Sequence, residues 1–344
     1  MKTDLRHLVR ALVVSVALSL GAGAVAQPTS PFFDDTMSLS RAFGLELIAS
    51  RLHAIEALDG DYGDYFGQAR KVLSRDIRRF EGTLTAADPA LAQELRDALQ
   101  AVLDDVEAGH GASESIAAAR DVWARAYDVV IAPDTHGSLA FTAMVLADLL
   151  LQDDGVAEAY EDAADDELWE YPNGYGALVR VKEIWGERVE PFATPEQVED
   201  VLEMIAFLET VVYPSVRPPA AITGDPEEAE GATQRMTGIL ESIASADLYA
   251  GRNLGRLAES LAGTLAPACE AYAAGDDLAG VEGVYAVRNP YRKNLRRLLD
   301  LIAPEIHEPA AALLDALISS DPPADRAAAC GELHELLLEA RSVL

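Results

Sequence analysis

Leu254-Gly255-Arg256-Leu257-Ala258-Glu259-Ser260-Leu261-Ala262-Gly263-Thr264-Leu265 decides the fold class, because leucine recurs there at steps of three and four. That spacing matches the turn of an α-helix and lines one face with apolar side chains, whereas a half-buried strand would alternate at every second residue. The same period runs through Leu45, Ile48, Leu52 and Ile55, through Leu295, Leu298, Leu299 and Ile302, and through Leu333, Leu336 and Leu337. Ala, the strongest helix former, is abundant, and runs alternating Val, Ile or Thr with polar residues are nearly absent. The chain is therefore expected to be all-α, as two antiparallel helical bundles of about ten to twelve helices. No large and small residues recur at a fixed long period, so a tandem-repeat solenoid is the second choice.

Helix ends are expected at Asp88-Pro89, Gly109-His110-Gly111, Asp153-Asp154-Gly155, Pro172-Asn173-Gly174, Thr194-Pro195 and Gly275-Asp276-Asp277. The strongest break is Pro214 to Pro226, which holds Pro218-Pro219 and Gly224 and lacks an apolar stripe. This divides the chain into a leader over 1–26, an N-terminal bundle domain over 27–213, a Pro-rich linker over 214–226 and a C-terminal bundle domain over 227–344.

The 344 residues include 27 Lys+Arg against 58 Asp+Glu, for a formal charge of −31, and half are hydrophobic. A half-apolar chain of this length can bury enough surface to outweigh the entropy of ordering, which excludes intrinsic disorder. The negative field opposes approach of a polyanion, so no nucleic-acid partner is expected. Lys2, Arg6 and Arg10 precede the apolar stretch Ala11 to Ala26, and Ala24-Val25-Ala26 before Gln27 has the A-x-A form of a signal-peptide cleavage site. The mature protein is expected to be exported, periplasmic or extracellular, and without a transmembrane span. The best later apolar run, Leu139 to Leu151, is short and carries Asp148.

The sequence lacks G-x-S-x-G, G-x-G-x-x-G, G-x-x-x-x-G-K, H-E-x-x-H and C-x-x-C, so no catalytic residue is assigned and an enzyme is disfavoured. Asp59-Gly60-Asp61-Tyr62-Gly63-Asp64 fails as a calcium loop, since its sixth position is Asp64 and its twelfth Arg70. The best metal candidate is His53-Ala54-Ile55-Glu56: residues three apart share a helix face, so imidazole and carboxylate could converge on one cation, with Glu46 two turns earlier as an outer charge. The competing structural reading is a local hydrogen bond from His53 to Glu56. Glu305-Ile306-His307-Glu308 and Glu332-Leu333-His334-Glu335 are read as solvated helix faces. The acidic run Glu158, Glu161, Asp162, Asp165, Asp166 and Glu167 is read as a soluble surface able to attract cations loosely.

His53-Ala54-Ile55-Glu56 resembles the heart of the G-x-H-x-x-E motif of the imelysin family, exported all-helical proteins that include EfeO-type components of bacterial iron uptake. Ala274-Gly275-Asp276-Asp277-Leu278, followed by Val284 to Tyr291, is similar to a helix-turn-helix stretch in EfeO-type chains. The sequence departs from the motif at Arg51, where the family has Gly. The resemblance implies binding or handing over iron or another divalent cation outside the cytoplasm, with His53 and Glu56 as the ligand pair and an envelope transport partner.

Two basic clusters stand against the acidic background: Arg70, Lys71, Arg75, Arg78 and Arg79, and then Arg288, Arg292, Lys293, Arg296 and Arg297. Arg288, Arg292 and Arg296 fall at four-residue steps on one face. They could receive an anionic partner, or pair with acidic helices within the protein. The alternative overall function is accordingly a non-catalytic interaction module docking a protein partner through its helical faces. Finally, Cys269 extends the Leu261/Leu265 stripe and Cys330 precedes Leu333 and Leu337, so both are expected to point into the second bundle, where an oxidising compartment would favour a Cys269–Cys330 disulfide.

Overall fold

In the computed structural model, residues 35–63, 65–248 and 254–344 are described, and every regular element among them is a helix. The expected leader over residues 1–26 lies outside the described residues. The helices are α1 Thr36–Leu58, α2 Tyr65–Ile77, α3 Glu81–Ala87, α4 Pro89–Glu107, α5 Ser113–Val130, α6 Pro133–His136, α7 Leu139–Leu151 and α8 Val156–Ala164. They continue as α9 Tyr171–Ile184, α10 Pro195–Phe207, α11 Pro226–Ala244, α12 Leu254–Ala273, α13 Asp277–Pro290, α14 Arg296–Ile302, α15 Pro304–Ile318 and α16 Arg326–Val343. These segments outnumber the expected helices partly because π turns at Trp185–Val189, Leu208–Val212 and Tyr291–Leu295 interrupt or extend longer rods. No helix among the described residues is long and apolar enough to cross a membrane.

Local chemistry sets the helix starts. Asp88 accepts from the Leu91 backbone N–H ahead of Pro89, Thr194 and Gln197 form a reciprocal capping box around Pro195, and Asp276 accepts from the Ala279 N–H. Each satisfies a donor that the first helical turn leaves free, and proline in that turn has no N–H to lose. Pro172-Asn173-Gly174 lies inside the first turn of α9 and opens that helix.

The central element is α1. Its apolar stripe Leu45, Ile48, Leu52 and Ile55 is fully buried, and so are Ser50, Glu46 and Arg51 on other faces, because α2, α5, α7, α9 and α13 surround it. Two glycines permit this density. A Cβ on Gly44 would lie 2.7 Å from the Arg79 Cβ, and one on Gly176 would lie 2.1 Å from the Ser50 carbonyl oxygen. Glycine is the residue that lets two backbones approach so closely.

Buried apolar residues form two clusters. The first runs from Leu39 to Leu248, and the second from Leu257 to Ala340. Helix α11, placed by the sequence reading after the linker, contributes Ala229, Ala232, Met236 and Leu240 to the first cluster. The change of core thus falls between Leu248 and Leu257, while the Pro-rich 214–226 stretch is a surface connection inside one core. Proline content marks where a helix stops and carries no information about which core the next helix joins. Cys269 on α12 and Cys330 on α16 form a disulfide with Cα atoms 5.3 Å apart, inside the second cluster.

Candidate functional site

His53 and Glu56 are both on α1, as their spacing requires, yet they do not converge on a cation position. Arg120 of α5 lies between them: its Nη2 is 3.1 Å from His53 Nδ1 and 2.7 Å from Glu56 Oε2. His53 Nε2 is 3.1 Å from Glu183 Oε2 of α9. Only the tautomer with hydrogen on Nε2 satisfies both contacts, donating to Glu183 and accepting from Arg120, which leaves the neutral ring no lone pair for a metal. Arg180 adds bonds to Glu183 (2.8 Å) and to the buried Glu46 (2.6 Å) and stacks on Trp123. Burial raises the Glu183 carboxyl, but the bonds from His53 and Arg180 outweigh it and hold the group at about 2. The cluster is an ion-paired clasp joining α1, α5 and α9. Among the described residues, no three His, Cys, Asp or Glu side chains are grouped so as to hold a metal ion.

A second charge cluster is buried where sequence reasoning saw only a helix break and a basic run. Arg51 lies 3.3 Å from Asp76 and 3.2 Å from Asp154, and Arg75 donates to Asp154 at 2.5 Å and contacts Asp76 at 3.3 Å. The Arg51 nitrogens are buried without an aligned hydrogen bond, so they act on these carboxylates chiefly as charge. Burial works against the ionised Asp154, and the two guanidiniums hold its carboxyl below the usual range. Glu170 lies at the edge of this cluster, where burial and the Asp154 charge raise it to about 7 while it accepts from Asn173. Tyr65 in turn donates to Asn173 Oδ1 at 2.8 Å. Two arginines and two aspartates thus tie α1, α2 and the α7–α8 turn together.

The basic clusters are largely consumed in the same way. Arg79 is buried between the rings of Phe43 and Tyr285, and Arg78 donates to the Tyr285 hydroxyl at 3.2 Å. Arg288 bonds Asp153 at 2.8 Å and Asp315 at 3.0 Å, Arg292 pairs with Asp153, and Lys293 bonds Asp148 at 3.0 Å. Arg296 and Arg297 are exposed, with no carboxylate partner among the described residues.

These side chains form one wall of a cleft of about 550 Å³ lined by Asp153, Glu158, Glu161, Glu230, Arg292, Lys293, Arg296, Arg297 and Asp300. Its opposite wall is α8, where Glu158 and Glu161 line the cleft and Asp162 follows beside them; none of the three has an ion-pair partner among the described residues. Burial, reinforced by Asp153, Asp162 and Glu161, raises the Glu158 carboxyl to about 7. Asp162 rises to about 6 through burial and the neighbouring Glu167 and Asp153. The acidic run is plain in the sequence, but nothing local there shows that Glu158 and Glu161 face a cleft. His307, read as solvated, is instead buried at 9% exposure and bonds Tyr291 at 2.8 Å, since α15 turns that face toward the second core. His334 remains partly exposed beside Glu335.

No family model matches this chain, and neither a curated protein nor a solved structure matches it.

Proposed function

We propose that this chain is a non-enzymatic, exported binding protein that takes up a metal cation at the mixed-charge cleft between α8, α11 and the Arg292–Asp300 segment. The observation that carries this reading is the state of the α8 wall. Elsewhere most buried acids are paired with cations: Asp76 and Asp154 with Arg51 and Arg75, Glu46 with Arg180, Glu282 with Arg41 and Asp148 with Lys293, while the buried Glu170 accepts from Asn173 instead. Glu158, Glu161 and Asp162 lie together without such a match, and burial, with the added repulsion of neighbouring acids such as Asp153, raises the carboxyls of Glu158 and Asp162. A hard cation relieves that repulsion, and carboxylate oxygen is its preferred donor. No three of these carboxylates are grouped as ligands around one point, so the ion would be held by at most two of them and keep most of its water shell. The stretches similar to imelysin and EfeO-type proteins support the same cargo, iron or another divalent cation, and an envelope transport partner to receive it. His53 and Glu56 serve this reading as structural anchors of α1.

Metal content after equilibration with manganese(II) and gel filtration tests the proposal. The native chain is expected to retain the ion, and the Glu158→Gln, Glu161→Gln double variant to lose it; a native chain that retains none contradicts the reading.

One observation favours the interaction module as a second reading. Leu301 is 80% exposed and Ile302 46% exposed, in the same short helix as Arg297. Exposed aliphatic residues beside an unmatched guanidinium suit a docking face for an acidic, partly apolar protein segment.

A further inference from the structure

On the other side of Arg292 and Arg296 from the cleft lies a separate cavity of about 160 Å³, between the Arg288–Arg296 stretch and α15. One wall carries Arg288, Arg292 and Arg296, which are four residues apart; the opposite wall carries His307, Ala311, Leu314 and Asp315. The π turn Tyr291–Leu295 sits within this stretch, and such turns recur at functional sites.

Arg288 is held on both sides by Asp153 and Asp315, and Arg292 by Asp153, so each is oriented before anything binds. Arg296 has no such partner, which leaves three guanidiniums facing two carboxylates. Tyr291, buried behind them, stacks on His307 with ring planes 10° apart and has its hydroxyl 2.8 Å from Nδ1. With that hydroxyl donating, the imidazole keeps its hydrogen on Nε2, and no protein acceptor takes it among the described residues. Ala311 and Leu314 supply an apolar floor that limits competing water. The volume is enough for a carboxylate or phosphate group.

We infer that this cavity is a binding site for a small oxyanion, received by Arg296 and the free N–H groups of Arg288 and Arg292, with His307 as a donor positioned by Tyr291. Guanidinium is suited to this task because its planar fork matches the two oxygens of a carboxylate or phosphate. The inference does not rest on the cation reading, which uses the α8 wall.

Calorimetric titration of the full chain with inorganic phosphate, and separately with citrate, at constant ionic strength set by chloride, tests it. Saturable one-to-one binding of at least one ion is expected, and which one saturates tells phosphate chemistry from carboxylate chemistry. Arg296→Ala, at an exposed position that the fold does not need, is expected to weaken binding about tenfold or more. Arg297→Ala removes the same charge from a side chain that lines the cleft and not this cavity, and is expected to change binding less than about twofold. Absence of saturable binding by either ion would overturn the inference. So would an Arg296→Ala variant that binds as the native chain does, or equal weakening by the two substitutions, which would mark a diffuse surface field.

Discussion

Glu158 sits in the first turn of α8 with Asp153, Glu161 and Asp162 around it, and its carboxyl holds a proton up to about 7. An unfolded chain loses that proton near the ordinary value of 4.5. Through the window between, the folded protein binds the extra proton, so this group lowers stability as pH rises, with no penalty below the window and the full penalty above it. Because the side chain is only half-buried, screening reduces the penalty to about 1–2 kcal/mol. Glu158→Gln is therefore expected to raise the urea midpoint at a pH of about 8 by a corresponding amount and to leave it unchanged at about 4.5. An equal gain at both would mean that the amide acts through packing. Asp154 has the opposite character, since its carboxylate is needed by the buried guanidinium of Arg51 and the half-buried one of Arg75. Asp154→Asn should cost about 3–5 kcal/mol in urea unfolding, as breaking one partner of a buried ion cluster does, and a loss under about 1 kcal/mol would show that Asp76 alone satisfies Arg51 and Arg75. Neither role was legible in the sequence. Asp154 stood in an Asp-Asp-Gly break, and its partners lie on α1 and α2, a separation that no local spacing reveals. His53-x-x-Glu56 was legible as a shared face, but the arginine that occupies the space between them comes from α5.

At the scale of elements, periodicity carried most of the information. The stripes Leu254–Leu265, Leu295–Leu299 and Leu333–Leu337 all lie on helices and bury most of their leucines in the second core. What periodicity missed in α1 has a physical cause: a helix buried on every face has no polar side, so its stripe marks only part of the buried surface, and Arg51 and Glu46 are buried because partners reach them from neighbouring helices. The cysteine pairing followed from two such stripes, since apolar faces of α12 and α16 that pack together bring residues on them within bonding reach. The bridge closes a loop spanning 61 residues. In the chain-entropy model this restricts the unfolded ensemble by about 4 kcal/mol. Cys269→Ala with Cys330→Ala should accordingly lower the midpoint for loss of α12–α16 helicity by an amount of that order, and titration of the denatured, unreduced native chain should find no reactive thiol. Two reactive thiols would show that the bridge does not form in the protein.

Among the described residues, two apolar cores are joined through polar contacts on α13. Glu282 accepts from the Arg41 side chain and from the Thr83 backbone N–H and hydroxyl at 2.9 and 2.6 Å, while Arg79 packs on Tyr285. Gly82 allows the approach, since a Cβ there would meet Glu282 Oε2 at 2.9 Å. Removing that carboxylate strands buried donors at the junction, so Glu282→Ala is expected to split a single calorimetric unfolding transition into two, and a variant that still unfolds in one step would show that apolar contact alone couples the cores. The mixed-charge cleft belongs to this scale as well, because α8 and α11 come from the first core and Arg292–Asp300 from the second. Its acidic wall is the centre of the account, and the most direct measurement is a calorimetric titration of the native chain with manganese(II) at pH values of about 8 and about 5.5. Protons and metal compete for Glu158 and Asp162, so saturable binding at the higher pH, weakened about tenfold or more at the lower, is the expected result. No saturable binding at either pH, or affinity that is the same at both and unaltered by Glu158→Gln, would contradict it.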